Sequence, residues 1–176
     1  VIPYKEALSR LMNDVVCRNE TEYVSLSALT GRILAQDVCA QFDAPRFDNS
    51  AMDGYAECGL QQQNWLLTDS IAAGDATHGL QLQTGQAMRI LTGAAIPAGT
   101  EAVIAQEDVN VLDGVLVCDR PLKSGQHIRR LAEEYAAGEV LWPAQMRLNA
   151  AAVGVIASQG LQHVACFRRI RITVLS

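Results

Sequence analysis

This sequence predicts a mainly β chain with a few helices (α+β), in which a compact multi-stranded β domain is inserted into an extended helix/strand linker domain. Three observations predict it. Short apolar runs alternate with Gly, Asp and Pro turns from Tyr55 to Val117, the pattern of many short strands. Helical spacing is confined to the stretch after Pro3 and to Ala150–Ser158. Hydrophobic residues make up 49% and charged residues 19%, ample for a core and unlike a disordered chain. The linker domain is expected at 1–44 and 141–176, and the inserted domain at 45–140.

In order along the chain, Pro3 precedes a segment with Leu8, Leu11, Met12, Val15 and Val16 on one face and Lys5, Ser9, Arg10, Asn13 and Asp14 on the other. That is the spacing of an amphipathic helix. Tyr23–Leu26 reads as extended, Ser27 as the cap of a short helical turn that Gly31 ends, and Ile33–Ala40 as a strand. Further strands are expected at Trp65–Leu67, Ile71–Ala73, Ala87–Leu91, Ala102–Ala105, Val109–Leu112 and Val115–Val117. Asp113-Gly114 is the hairpin signal between the last two. After Pro143, Asn149 is a candidate N-cap and Gly160 a C-cap around Ala150–Ser158. Strands at Val164–Phe167 and Ile170–Val174 follow. Arg171–Ser176 reads as the opening strand of a further α/β unit; such a strand either pairs back onto this chain or belongs to a longer polypeptide, and the second is the expectation.

Several function classes are disfavoured. A net charge of −5 argues against nucleic acid as the main partner, and the Arg168, Arg169 and Arg171 cluster reads as a solvated strand edge. No apolar run is long enough for a membrane helix, so no membrane partner is expected. Cysteines 17, 39, 58, 118 and 166 are scattered without zinc spacing and suit a reducing cytoplasm. His78, His127 and His163 are far apart, which makes them surface or hydrogen-bonded residues rather than metal ligands.

The densest chemistry lies in Asp43-Ala-Pro-Arg-Phe-Asp-Asn-Ser-Ala-Met-Asp-Gly-Tyr55. Carboxylates this close repel one another unless a cation or a set of donors meets them. Either Asp48 and Asn49 close Asx-turns on nearby amides, or the loop meets a ligand; Asp53 is the residue least explained by turns. Leu91-Thr-Gly-Ala-Ala-Ile-Pro-Ala-Gly99 is either a plain hairpin loop or one whose amides and Thr92 hydroxyl approach an anion. In Lys123–Glu134, cations precede two carboxylates, which by itself means surface ion pairing.

Taken in order, Gly31-Arg-Ile-Leu-Ala35, Asp48-Asn-Ser-Ala-Met-Asp-Gly-Tyr-Ala56, Leu91-Thr-Gly-Ala-Ala-Ile-Pro97, Ser124-Gly-Gln-His-Ile-Arg-Arg130 and Ile156-Ala-Ser-Gln-Gly160 closely resemble the molybdopterin molybdenumtransferase family, which includes MoeA and the E domain of gephyrin. The resemblance runs from the first helix to the last strand and covers that family's N-terminal linker and β domains only. It implies an enzyme of molybdenum cofactor biosynthesis that inserts molybdate into adenylylated molybdopterin and releases AMP, with Mg²⁺, as a cytoplasmic homodimer. It implies Asp53, Thr92 and Glu134 as catalytic positions and Asn49, Ser50, Gly93, Arg129 and Arg130 as substrate-binding ones, with Asp53 the candidate to act through Mg²⁺ and no other metal ligand in this chain.

Glu134 stands where the family usually has Asp, in a Gly-Glu-Asp run that here reads Ala132-Glu133-Glu134. Leu131 stands where many members carry a third Arg, and Gln145 where many have a turn Gly. Because molybdate is a dianion, Asp53 is expected to act through a metal or as a proton acceptor. Thr92 and its neighbouring amides are expected to hold oxyanion oxygens, with Arg129 or Arg130 offsetting charge. The nucleotide-binding domain of the family should begin at the strand ending in Ser176, so the chain alone is expected to be inactive. The alternative is a non-catalytic dimerisation or partner-binding module of a divergent family member.

Overall fold

The computed structural model describes residues 2–14, 19–72, 74 and 80–174. Its helices are α1 (Tyr4–Asn13) and α2 (Ala150–Ser158). Its strands are β1 (Thr21–Ser25), β2 (Val38–Cys39), β3 (Asn49–Ser50), β4 (Gly54–Cys58), β5 (Asn64–Ile71), β6 (Gln86–Ile90), β7 (Ala102–Ala105), β8 (Asn110–Leu112), β9 (Val115–Val117), β10 (Ile128–Arg129), β11 (Val140–Trp142) and β12 (His163–Phe167). Most elements are short strands and the helices are few: the architecture is mainly β. Two compact units form, one from Val1–Cys39 with Val140–Ser176 and the other from Ala40–Glu139.

In the first unit, β1 and β12 pair antiparallel from Thr21 opposite Phe167 to Ser25 opposite His163. Val24, Leu29, Leu34, Leu148, Ala152, Ile156, Val164 and Cys166 make its core. The Asn149 side chain accepts a hydrogen bond of 2.8 Å from the Ala152 N–H, so the expected N-cap starts α2. Gly160 follows its end at φ 72°, a left-handed conformation that glycine adopts without steric cost. Arg32 is buried, where its guanidinium bonds Glu22 and the Phe167 carbonyl. Helix α1 leaves Leu8, Leu11 and Met12 44%, 67% and 64% exposed; Val15, Val16 and Cys17 lie outside the described residues.

Three local expectations are corrected here. Ile33–Ala40 is not one strand. Leu34 donates to Met146 and Ala35 to Ala165, so the segment passes from one neighbour to another and only β2 remains regular. The short turn occupies Leu26–Ala28, two residues earlier than a Ser27 cap requires, and the Ser27 hydroxyl meets that of Ser25 instead. Ile170–Val174 is no strand: after Arg168 donates to Glu20 no ladder continues, and Ile170, Ile172 and Val174 are all exposed. Alternation alone does not make a strand without a partner to pair with.

The second unit is built on a six-stranded sheet in the order β7-β4-β6-β5-β9-β8. All its pairs are antiparallel except β5 with β6. Tyr55, Trp65, Ala87, Ile104, Leu116 and Cys118 pack on one face. Ala56, Ile71, Met88, Ile90, Val103 and Ile128 pack on the other, so β4 and β7 are buried on both sides, and β7 reads as a continuous apolar run. Trp65–Leu67 and Ile71, expected as separate strands, belong to the single strand β5; a register shift between Leu67 and Ser70 moves Ile71 to the opposite face. Ala73 lies outside the described residues. Asp113 and Gly114, at φ 49° and 79°, make the expected tight turn between β8 and β9.

One residue in this sheet is out of character. Glu57, in the middle of β4, is fully buried, and neither of its carboxylate oxygens has a hydrogen-bond partner. The Trp65 indole N–H is also unpartnered. Burial, with the charge of Glu101 adding to it, pushes the Glu57 carboxyl up to about 7; proximity to Trp65 and the Ala102 N–H offsets only part of this.

Candidate functional site

The acidic loop is strapped from two sides within the second unit. On one side, Ser50 donates its N–H to Ala94, Gly93 donates to Ser50, and Ile96 donates to Asp48. On the other, β3 pairs with β10, Ser50 opposite Ile128 and Asn49 opposite Arg129, while Ala51 donates to His127. The three motif segments noted in the sequence therefore fold into one cluster. Gly54 allows this: a Cβ there would lie 1.9 Å from the Ile104 carbonyl oxygen, so only glycine lets β4 approach β7 directly after Asp53.

Each carboxylate of the loop meets its own donors, which answers the repulsion. Asp43 accepts from the Ala137 N–H at 2.8 Å. Asp48 accepts from the Leu131 N–H at 2.7 Å and from Arg130 at 2.6 Å. The Leu131 amide first, and then Arg130, hold its carboxyl below the usual range against the opposing effect of burial. Asp48 thus clamps a distant loop and makes no Asx-turn. The local turn belongs to Ser50, whose hydroxyl donates to the Met52 carbonyl at 2.6 Å; Asn49 donates to Phe47. Asn49 and Ser50 are both buried.

Asp53 is different. One of its oxygens, Oδ1, accepts both the Thr92 N–H and the Thr92 hydroxyl at 2.7 Å. Those two bonds, in that order, and then the charge of Arg89, hold its carboxyl below the ordinary carboxylate value. Oδ2 has no protein partner among the described residues, and the residue is exposed. The sequence expectation that Thr92 and its neighbours offer open donors is corrected: both Thr92 donors serve Asp53, and the Gly93 and Ala94 amides serve the Ser50 and Leu91 carbonyls.

Arg130 is tied to Asp48, and its N–H donates to Glu133 at 2.7 Å. Arg129 is exposed on β10. The Glu134 N–H donates to Ala44, and its exposed carboxylate has no partner among the described residues. Ala132 takes φ 59° and Gln145 φ 70°, both left-handed conformations that favour glycine. His127, also at positive φ, bonds the Val103 carbonyl through Nδ1 at 3.0 Å. His163 lies exposed on β12, and His78 is outside the described residues. No group of three or more His, Cys, Asp or Glu that could hold a metal occurs among the described residues.

Sequence reasoning missed the frame around Asp53. Gln106 donates its N–H to the Asp53 carbonyl at 3.0 Å, and its side-chain oxygen accepts from Arg89 at 3.3 Å. Arg89 also donates to the Tyr55 hydroxyl at 3.2 Å. An arginine between Met88 and Ile90 reads as the solvent position of a strand, and nothing in its spacing reveals that register places it opposite Tyr55.

The family description "MoeA N-terminal region (domain I and II)" matches residues 2–160. The chain belongs to this family. The MoeA N-terminal region here is 38% identical to the molybdopterin molybdenumtransferase of Haemophilus influenzae, over 97% of the chain and 43% of that protein. It is 37% identical to that of Nostoc sp., over 90% of the chain and 38% of that protein. The crystal structure of the molybdopterin biosynthesis MoeA protein from Pyrococcus horikoshii is similar with a TM-score of 0.84 at 32% identity, covering 95% of the chain and 46% of that protein. The chain therefore spans less than half the length of these relatives. The MoeA N-terminal fold and the resemblance drawn from the five sequence blocks agree.

Proposed function

We propose that this chain is the N-terminal part of an enzyme of molybdenum cofactor biosynthesis that inserts molybdate into adenylylated molybdopterin with release of AMP. The observation that carries the reading is the Asp53–Thr92 pair, which leaves one carboxylate oxygen open on an exposed loop. Relatives named molybdopterin molybdenumtransferase support the substrate class.

Asp53 is ionised at neutral pH, and its Thr92 bonds fix the direction in which Oδ2 points. A rigid carboxylate with one committed and one free oxygen suits a proton acceptor at that free oxygen. It also suits Mg²⁺, which keeps several waters and takes one or two carboxylates alongside its substrate. Oδ2 of Asp53 is what this chain would offer that ion, which when bound would offset the charge of molybdate. Asp53 does not contact the oxyanion directly, since like charges repel. Glu134 contributes a free carboxylate from the loop that Asp48 clamps. The reading places the protein in the cytoplasm as a homodimer, with this chain alone inactive.

A second reading, a dimerisation or partner-binding module, is favoured by the exposed Leu8, Leu11 and Met12 face of α1. A hybrid in which this chain replaces the matching part of the Haemophilus influenzae relative separates the two. Cofactor formation from adenylylated molybdopterin and molybdate supports the enzyme. A folded but inactive hybrid beside an active relative refutes the enzyme reading and leaves the module.

A further inference from the structure

A site that handles a dianion beside a carboxylate needs a cation whose charge is not already spent. Among the cations of the second unit, Arg130 is paired with Asp48 and Arg120 with Asp108, both at 2.6 Å, while Lys123 and Arg129 are exposed with no side-chain partner among the described residues to position them. The Arg46 guanidinium carbon lies over the Phe42 ring, 3.6 Å from its centroid. Arg89 makes no salt bridge among the described residues, yet it is not loose. Nη1 donates to the Tyr55 hydroxyl and Nη2 to the Gln106 side-chain oxygen, both neutral acceptors, and the guanidinium carbon lies 5.6 Å from the Tyr55 ring centroid, farther than Arg46 from its ring. A guanidinium has five N–H donors, so two are used for positioning and three stay available with the full charge.

Its frame is shared with Asp53. Gln106 holds the Asp53 carbonyl through its N–H and Arg89 through its side chain. Tyr55, two residues beyond Asp53, stands opposite Arg89 in the β4–β6 register. Thr92, three residues beyond Arg89, is the donor to Asp53. The open oxygen and the open guanidinium edge are therefore set by one hydrogen-bonded network, and Arg89 is exposed. Preorganised planar donors of this kind recognise tetrahedral oxyanions through paired N–H···O bonds.

We infer that Arg89, held by Tyr55 and Gln106 beside Asp53, is the residue that receives a tetrahedral oxyanion of the substrate. This rests on the proposed reading and replaces Thr92 as the oxyanion donor. Arg89 supplies the positive charge for the anion that Asp53 alone would repel, and Thr92 positions Asp53.

The test is titration of the isotopically labelled chain with sodium molybdate and, separately, inorganic phosphate, followed by NMR of the Arg89 Nε–H and the Thr92 amide. Saturable shifts at both are expected. Arg89→Gln should weaken the fitted affinity at least ~10-fold, the scale of a charge-assisted pair. Arg89→Lys should fall between, and Lys123→Gln should stay within about twofold. Shifts with molybdate alone assign the site to molybdate; equal shifts with phosphate assign it to a tetrahedral dianion, the phosphate of the pterin substrate included. The inference is overturned if neither anion shifts Arg89, if Arg89→Gln binds as the wild type does, or if Lys123→Gln weakens binding equally. An unchanged Thr92 amide spectrum in the free Arg89 variants establishes that the fold is intact. Because no turnover is involved, failure here leaves the Asp53 reading to be judged by cofactor formation.

Discussion

Glu57 makes the stability of the second unit depend on pH in an unusual direction. Its carboxyl, ordinarily near 4.5, is pushed up to about 7 inside the sheet. Between those values the folded chain holds a proton that the unfolded chain has released. Stability is therefore greatest below 4.5, falls as pH rises toward 7, and is flat above it. At about 1.4 kcal/mol for each pH unit, the interval amounts to roughly 3 kcal/mol. That is an upper bound, since solvent beside exposed Glu101 screens part of it.

Glu57→Gln keeps the shape and removes the titration. It should abolish the slope and leave the variant about 2–3 kcal/mol more stable than the wild type at pH 8. Trp65, 1% exposed and on the same face, reports unfolding of this unit by fluorescence. Trp142→Phe removes the signal of the other unit. Urea midpoints measured from pH 5 to pH 8 decide the matter. A wild-type midpoint that does not fall across that range, or a Gln variant with the wild-type slope, refutes the reasoning.

Three further outcomes follow from the same contacts. Asp48→Ala removes the acceptor of the Leu131 N–H and the partner of Arg130, and should cost about 1–2 kcal/mol while exposing the Leu131 amide to hydrogen exchange; the wild-type contribution should itself be lost as pH falls through the depressed Asp48 pKa, below its ordinary 3.8. Gly54→Ala drives a methyl group into the Ile104 carbonyl and should destabilise the second unit by about 3 kcal/mol or more in urea unfolding, against no change if β4 and β7 can separate. Ala132→Gly relieves a left-handed φ of 59° and should raise stability by roughly 0.5–1 kcal/mol, a gain that thermal unfolding would detect.

What the sequence made legible was mostly local. The Asp113-Gly114 turn and the Asn149 cap are decided within a few residues, by left-handed φ preference and a side chain reaching its own helix. Medium-range pairing was harder. β5 reads as two pieces because a register shift interrupts its face, and 33–40 reads as one strand although its backbone passes from one partner to another. The acidic loop was legible as a site, but its division of labour was not. Asp48 reaches residues more than eighty positions away, Thr92 spends its donors on Asp53, and Arg89 enters only through strand register. The blocks of the family resemblance pointed to the place, and the hydrogen bonds there assign the parts.

The central claim is that the charge of Asp53 does chemistry and not only holds Thr92. Asparagine at this position keeps an oxygen for both Thr92 donors, removes the charge and turns the open oxygen into an amide NH2. The most direct measurement compares cofactor formation from adenylylated molybdopterin and molybdate by the hybrid with the Haemophilus influenzae relative, with and without Asp53→Asn. The account predicts a loss of roughly 10²- to 10⁴-fold with the Thr92 amide still protected from hydrogen exchange. Turnover within about twofold of the unsubstituted hybrid would contradict it.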